Sequence, residues 1–160
     1  MTVVLVTEVE GLVLRELHRE DLVAFAELVE RNRALLPEQW EATATASELA
    51  AYFDEPWDDN VRFGIRLGDE LVGRVDLVPV SPPHWSIGYW LDHAHRGRGL
   101  TTAACRAAVE HARRSLGATE VYAGVTFGNA ASVAVLDRLG FEHVATLDAY
   151  DRYRLRLVEA

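Results

Sequence analysis

The residues with the clearest chemical potential lie in one stretch, Ile87-Gly88-Tyr89-Trp90-Leu91-Asp92-His93-Ala94-His95-Arg96-Gly97-Arg98-Gly99-Leu100-Thr101-Thr102. Its apolar first half reads as a strand, its middle as a short loop with two glycines, and its end as the start of a helix. Free N–H groups converge on an anion in such an arrangement. A helix N-terminus carries roughly half a positive charge, and glycines admit a phosphate close to the backbone. Arg96 and Arg98 add formal charge at the same place. The pattern differs from other phosphate loops. Thr102 stands where a dinucleotide fingerprint has its third glycine, and no Gly-Lys-Ser/Thr is present. Counted alone, the two glycines fit an ordinary strand-to-helix turn equally well.

Other reactive side chains have plainer readings. His93 and His95 are spaced as a metal pair, but no third ligand is evident, and they read as polar loop residues with no metal site. Cys105 falls in an alanine-rich helix, as a small buried apolar residue rather than a nucleophile. Trp40, Trp85 and Trp90 are candidates for lining a cleft, with core packing as the default.

The elements that must position the loop are legible from periodicity. Leu12 to Leu17 reads as a strand pairing with Val3 to Val6. Leu22, Phe25, Ala26 and Val29 share one helical face, which predicts a helix from Asp21 to about Arg33. Thr45-Ala46-Ser47-Glu48 has the form of a capping box for a second helix, with Leu49, Tyr52 and Phe53 inward and Pro56 as its stop. Alternation over Val61–Leu67, the turn Gly68-Asp69 and the run Leu71–Val78 predict an antiparallel hairpin. Trp85–Leu91 is a third strand in which Gly88 suggests a bulge or the close approach of a ligand. A small-residue helix from Gly99 to about Arg114 stops near Gly117, and Val121–Thr126 is a strand. Asn129 caps a helix through Leu139, and two strands, about Phe141–Leu147 and Arg152–Val158, finish the chain.

A chain of 160 residues with 49% apolar content is expected to form a single domain over residues 1–160. The formal charge of −9, with all sixteen basic residues arginine, disfavours nucleic acid and favours cationic partners. The chain has no apolar run of membrane-spanning length, its first residues lack the pattern of a signal peptide, and it has a single cysteine. A cytoplasmic location without membrane contact is the expectation.

Three segments in order resemble the GNAT superfamily of N-acetyltransferases, within it the branch that acetylates ribosomal-protein N-termini (RimJ/RimL-like). They are Leu14-Arg15-Glu16-Leu17 with Glu20-Asp21, then Gly88-Tyr89-Trp90-Leu91 with His95-Arg96-Gly97-Arg98-Gly99-Leu100, and finally Asn129-x-x-Ser132 with Leu139-Gly140-Phe141. The resemblance implies an α+β fold, a mixed and mostly antiparallel sheet of six to seven strands with about four helices in the order β-α-α-β-β-β-α-β-α-β-β. Acetyl-CoA is the implied cofactor. Backbone groups of Tyr89, Trp90 and Leu91 would hold the acetyl carbonyl and pantetheine, and amides from Arg96, Gly97, Arg98, Gly99 and Leu100 through Thr101 would hold the pyrophosphate. Asn129 would bond the pantetheine arm, and Ser132 would stabilise or protonate the leaving thiolate. Two positions depart from the family: Ala94, where a glutamine or arginine is frequent, and Leu136, where many relatives carry an acidic tyrosine. Residue by residue, Asn129 also fits a plain helix cap, and Ser132 a solvated first-turn serine.

The implied reaction is attack of a neutral primary amine, a protein N-terminal α-amine or a small-molecule amine, on a thioester. Freeing a lysine-like amine of pKa about 10.4 at pH 7 costs about 4.6 kcal/mol, against about 1 kcal/mol for an α-amine near 7.8. Asp76, His84, Glu38 and Glu55 are the base candidates, unranked, with a water relay as the alternative. A reading from another class is a non-catalytic acyl-CoA sensor or interaction domain, and a third, an aminoacyl-tRNA acceptor, is opposed by the charge. A homodimer is compatible with the sequence.

Overall fold

In the computed structural model, described for residues 2–36, 39–54 and 60–158, eight strands form one sheet in the order β1-β2-β3-β4-β5-β6-β8-β7. The strands are β1 Val4–Val6, β2 Leu12–Glu16, β3 Val61–Leu67, β4 Glu70–Pro79, β5 His84–Leu91, β6 Glu120–Thr126, β7 Glu142–Thr146 and β8 Tyr150–Arg156. Four α-helices accompany them among the described residues: α1 Leu22–Asn32, α2 Ala46–Asp54, α3 Leu100–Ser115 and α4 Ala130–Leu139. All pairings are antiparallel except β5 with β6. The sheet exceeds the expected six to seven strands because the three-residue β1 adds an edge to β2, with Val4 opposite Arg15.

Alternation along each strand divides the side chains between two faces. Val75, Leu77, Trp85, Ile87, Leu91, Val121, Ala123, Val125 and Tyr153 join α3 and α4 in the main core. Alanines at 103, 104, 108 and 112 let α3 lie close against that face. On the other face, α1 and α2 cover only the half of the sheet that ends at β5. Phe25, Leu28, Val29, Leu49, Tyr52 and Phe53 pack there against Leu71 and Trp90. The capping box forms as its spacing predicts, with Thr45 N–H donating to Glu48 Oε1 and Glu48 N–H to Thr45 Oγ1, both at 3.1 Å. Pro56, assigned to stop α2, lies outside the described residues.

Gly88 makes no bulge. The β4–β5 register runs unbroken through Asp76 opposite Gly88, and the irregular steps fall instead at Ile65/Arg66 and His143/Ala145. The glycine is required for another reason: a Cβ there would sit 2.7 Å from Asp76 Oδ1.

Candidate functional site

The site begins where two parallel strands part. β5 pairs with β6 only over His84–Ser86, opposite Glu120–Tyr122, and beyond Ser86 the two diverge. The gap opens into a cleft of about 1440 Å³. Its walls include Ile87–Leu91 of β5, Gly124–Asn129 after β6, the first turn of α3, and Ser132, Val135 and Arg138 of α4.

The loop entering α3 is built to present amides. Gly97 and Gly99 have φ of 78° and 73°, the left-handed region that costs side-chain-bearing residues energy, and a Cβ on either would meet no atom within 4 Å. The glycines are therefore needed for conformation and face open space. Gly99 is the N-cap and supplies no side-chain acceptor. Among the described residues, the N–H groups of Gly97, Arg98, Gly99, Leu100, Thr101 and Thr102 meet no hydrogen-bond acceptor, whereas Arg96 N–H reaches His93 O at 3.4 Å. The run of free amides thus starts one residue later than the sequence suggests. Arg96 and Arg138, which line this cleft, and Arg98 on the same loop have no carboxylate within 4 Å among the described residues. Six donors at a helix N-terminus with three uncompensated guanidiniums fit a diphosphate.

A latch sets the loop's position. Asn32, fully buried at the end of α1, donates to Leu28 O and Asp92 Oδ1, each at 2.9 Å, and accepts from His93 N–H at 2.9 Å. Asp92 Oδ2 lies 3.0 Å from His95 Nδ1. Burial raises the Asp92 carboxyl, but the bonds from Asn32 and His95 with Arg31 nearby outweigh it and hold the group below the ordinary range. Folding brings Asp92 and Glu70 to His95, ligand partners that spacing does not reveal. Asp92 Oδ1 and Oδ2 meet Asn32 and His95, and His93 Nδ1 lies 3.1 Å from Asn32 Oδ1, so both histidines contact the latch.

Strand alternation refines the backbone assignment on β5. Asp92 N–H bonds Val72 O across to β4, and Gln39 Nε2 donates to Tyr89 O at 3.4 Å. Backbone groups of Tyr89 and Leu91 therefore face the gap, while those of Trp90 face β4. Trp90 contributes its side chain to the other face, where its indole donates to Glu41 Oε2 at 2.9 Å. Glu41, fully buried, also takes Arg74 Nε at 2.5 Å, and Arg74 NH2 holds Gln39 Oε1 at 2.9 Å. Sequence reasoning misses this buried network, because Gln39 and Glu41 lie 33 or more positions from Arg74 and all three look like surface residues.

Arg74 NH1 pairs with Asp76 at 2.9 Å, and Asp76 lines a second cavity of about 370 Å³ with Trp40, Glu48, Ala51, Tyr52, Asn60 and Arg62. Burial outweighs the arginine and raises the Asp76 carboxyl above its usual value. Asp76 lines the smaller cavity and its register partner Gly88 lines the cleft, so the two spaces lie on either side of this pair. His84 is elsewhere. It sits at the paired end of β5, exposed, 3.8 Å from Glu120 and outside both cavities. Glu38 and Glu55 lie outside the described residues. Trp85 is core, and Trp40 faces the smaller cavity, 4.8 Å from the Tyr52 ring.

Asn129 is a helix cap, its Oδ1 accepting from Ser132 N–H at 3.1 Å, with its Nδ2 donors left over beside the cleft. Ser132 Oγ lies 2.7 Å from Tyr89 Oη. Tyr89 points from β5 towards α4, and burial foremost raises its phenol well above the usual value. Leu136 is fully buried in the core. The phenol at the cleft thus comes from β5 rather than α4, a placement visible in the sequence only as the parity of Tyr89 with core-facing Ile87 and Leu91. Cys105 is buried, which raises its thiol and leaves it inert.

The family model of the acetyltransferase (GNAT) domain matches residues 11–142. The chain belongs to the GNAT acetyltransferase family. Probable N-acetyltransferase YjcK of Bacillus subtilis is 37% identical over 89 residues, 52% of this chain and 49% of YjcK, so the match spans about half of that relative's length. RimJ of Mycobacterium smegmatis, solved in complex with CoA-disulfide, superposes with a TM-score of 0.81 at 19% identity over 98% of this chain and 87% of that one. The Salmonella typhimurium acetyl transferase that modifies the N-terminal serine of ribosomal protein L7/L12 gives 0.82 at 20% identity, over 98% and 100%. At such identities the structures establish a shared GNAT fold. No described helix is long and apolar enough to cross a membrane.

Proposed function

We propose that this GNAT domain transfers the acetyl group of acetyl-CoA to a primary amine, a polypeptide α-amine in the first instance. The observation that carries the reading is the run of six free amides from Gly97 to Thr102 at the N-terminus of α3. Those amides with Arg96, Arg98 and Arg138 hold the diphosphate, and the β5 edge at Tyr89 and Leu91 aligns the thioester arm. Asn129 Nδ2 adds a donor beside that arm.

The acceptor enters through the smaller cavity, on the face covered by α1 and α2. Asp76 sits where an incoming ammonium loses its proton, and burial raises its carboxyl above its usual value, which makes it a stronger base than a solvated carboxylate. The freed amine attacks the carbonyl carbon, the C–S bond breaks, and the thiolate takes a proton from Ser132 Oγ. Tyr89 Oη replaces that proton, which its raised pKa keeps available until then. The second proton of the attacking nitrogen leaves through solvent and restores the Tyr89 phenol at the end of the cycle. The Ser132–Tyr89 pair thereby does the work that Leu136 cannot. An α-amine, at about 1 kcal/mol to deprotonate, suits one half-buried carboxylate better than a lysine amine at about 4.6 kcal/mol. The Salmonella relative's N-terminal serine target supports the same choice.

The test combines calorimetric titration of coenzyme A with thiol release from acetyl-CoA in the presence of peptides bearing free or blocked N-termini. Micromolar binding and release dependent on a free amine are expected. Tight binding with no acceptor-dependent release would favour the acyl-CoA sensor instead, and absent binding would overturn both.

A further inference from the structure

Sixteen arginines carry all the positive charge of a chain whose net charge is −9, and most of them are neutralised locally. Nine lie within 4 Å of a carboxylate: Arg15, Arg19, Arg31, Arg33, Arg66, Arg74, Arg106, Arg113 and Arg114. Arg62 lies over the Tyr52 ring at 4.1 Å and donates to Tyr52 O at 2.8 Å. Of those with no carboxylate within that distance among the described residues, Arg96, Arg98 and Arg138 serve the cofactor cleft. The others, Arg152, Arg154 and Arg156, stand at alternate positions on β8.

Their side chains share one face. Tyr153 and Leu155, between them, pack into the α3/α4 core, so the three arginines point to the opposite side, where α1 and α2 stop short of β6 and β8. That side continues the acceptor face. Register carries it from Asp76 and Gly88 to Ser86, then to Tyr122, then to Arg154, with Arg152 opposite Gly124 and Tyr150 opposite Thr126. Tyr122 and Tyr150 flank the ladder, the Arg152 guanidinium 6.0 Å from the Tyr122 ring and 3.5 Å from Tyr150 Oη. Glu142 and Glu120 border the ladder, opposite Arg154 and Arg156 in register. Glu120 Oε2 accepts from the Tyr122 hydroxyl at 2.7 Å, and neither carboxylate lies within 4 Å of an arginine of the ladder.

We propose that this ladder docks the acceptor polypeptide and selects one with carboxylates shortly after its N-terminus, which rests on the acetyltransferase reading above. Two spacings define the match, one along β8 and one across the sheet. Alternate residues on an extended strand are roughly 7 Å apart, so three arginines on β8 match three alternate acidic residues of an extended peptide. β8 lies three strand spacings, about 14 Å, from β4, the strand that carries Asp76, and about four to five extended peptide residues span that distance. The ladder therefore reads acidic side chains from about the fifth residue of the acceptor onward, with its amine at Asp76. A protein surface of net charge −9 would otherwise repel such a chain. The patch is too short and too closely bordered by Glu120 and Glu142 to follow a nucleic acid backbone.

The experiment uses the full chain and three fluorescein-labelled peptides with a common Ser-Ala start, followed by alternating Glu-Ala, Gln-Ala or Lys-Ala. Anisotropy titrations need no turnover. The Glu peptide should bind roughly tenfold tighter than the Gln peptide, with the Lys peptide weakest and the preference shrinking in salt. R152Q/R154Q/R156Q should abolish the preference while leaving coenzyme A affinity by calorimetry unchanged. R152Q/R156Q, which alters only the two exposed arginines, should reduce it severalfold and serves if the triple variant does not fold. Equal binding of Glu and Gln peptides, a preference that survives the double substitution in a folded protein, or tighter binding of a labelled oligonucleotide than of the Glu peptide would overturn the proposal. Loss of coenzyme A binding by the unmodified protein would instead remove the reading beneath it, whatever the peptides do.

Discussion

Replacing Gly97 tests the loop on which the cofactor assignment rests. Gly97 has φ 78°, and no atom lies within 4 Å of the place a Cβ would take, so a side chain there is opposed by backbone conformation alone in the free protein. For a β-branched residue the left-handed region costs about 1–2 kcal/mol. Gly97→Val leaves the protein two options. If the loop holds its shape, the cost falls on stability. If it relaxes, binding a diphosphate must restore the shape, and the same penalty of about 1–2 kcal/mol appears as a dissociation constant raised about 5- to 30-fold. An isopropyl group placed where the ligand approaches adds to the second figure. Gly97→Asn separates the causes, because asparagine tolerates the left-handed region and should retain near-normal stability. Calorimetry with coenzyme A and thermal melts read both quantities. A valine variant with unchanged affinity and unchanged melting temperature would refute the loop assignment, and an asparagine variant as unstable as the valine one would refute the conformational reasoning.

Three further outcomes follow from the same geometry. Ser132→Ala should lower kcat about 100-fold and Tyr89→Phe about tenfold with little change in the KM for acetyl-CoA, and the double variant should be no worse than Ser132→Ala. Multiplicative losses would show that the two hydroxyls do not act in series. In Asp76→Asn, the acid limb of the kcat/KM profile should disappear. Burial raises the Asp76 carboxyl, so its basic form is lost as pH falls through a value above the usual carboxylate range, and activity must drop on that side in the unmodified protein. An acid limb retained in the asparagine variant would assign it to another group. Asn32→Ala should cost about 2–3 kcal/mol, since it strips hydrogen bonds from buried Asp92 and from His93. Because Asp92 is held low, its contribution is present at neutral pH and lost as pH falls below about 4. The melting difference between variant and parent should narrow there.

What the sequence discloses follows the range over which the forces act. The capping box at Thr45–Glu48, the hairpin across Gly68-Asp69 and the cap at Asn129 are settled within a few residues, and each is found where its spacing predicts. The loop at Gly97 and Gly99 is legible for the same reason. Gly88 stands out in the sequence, yet the cause of its conservation of space is not local: what crowds it is the carboxylate of Asp76 on the neighbouring strand. Long-range partners leave no local trace. Nothing near Glu41 in sequence predicts Arg74 and Trp90, and nothing near Ser132 predicts Tyr89. Ranking the base candidates likewise needs register: Asp76 falls beside a cavity and His84 at the closed end of the same strand pair.

The buried network on the acceptor face explains how the sheet can part at β5 without losing the strand's position. Past Ser86, β5 keeps only β4 as a hydrogen-bonded neighbour on one edge, and a half-free strand beside a large cleft would be expected to move. Glu41 accepts from the Trp90 indole and from Arg74 on β4, while Arg74 holds Gln39, whose amide reaches the free edge at Tyr89 O. A closed circuit of side chains therefore clamps both edges of β5 from the helical side. Burying Glu41 and Arg74 is costly, and an apolar replacement of equal volume would serve stability as well or better. A packed hydrocarbon cluster could not reach a carbonyl on the open edge, however, nor set Arg74 NH1 against Asp76. The charges sit where one strand is half unpaired and flanked by the Asp76 carboxylate, and they hold both in place beside the cleft, as the acyl transfer proposed above requires.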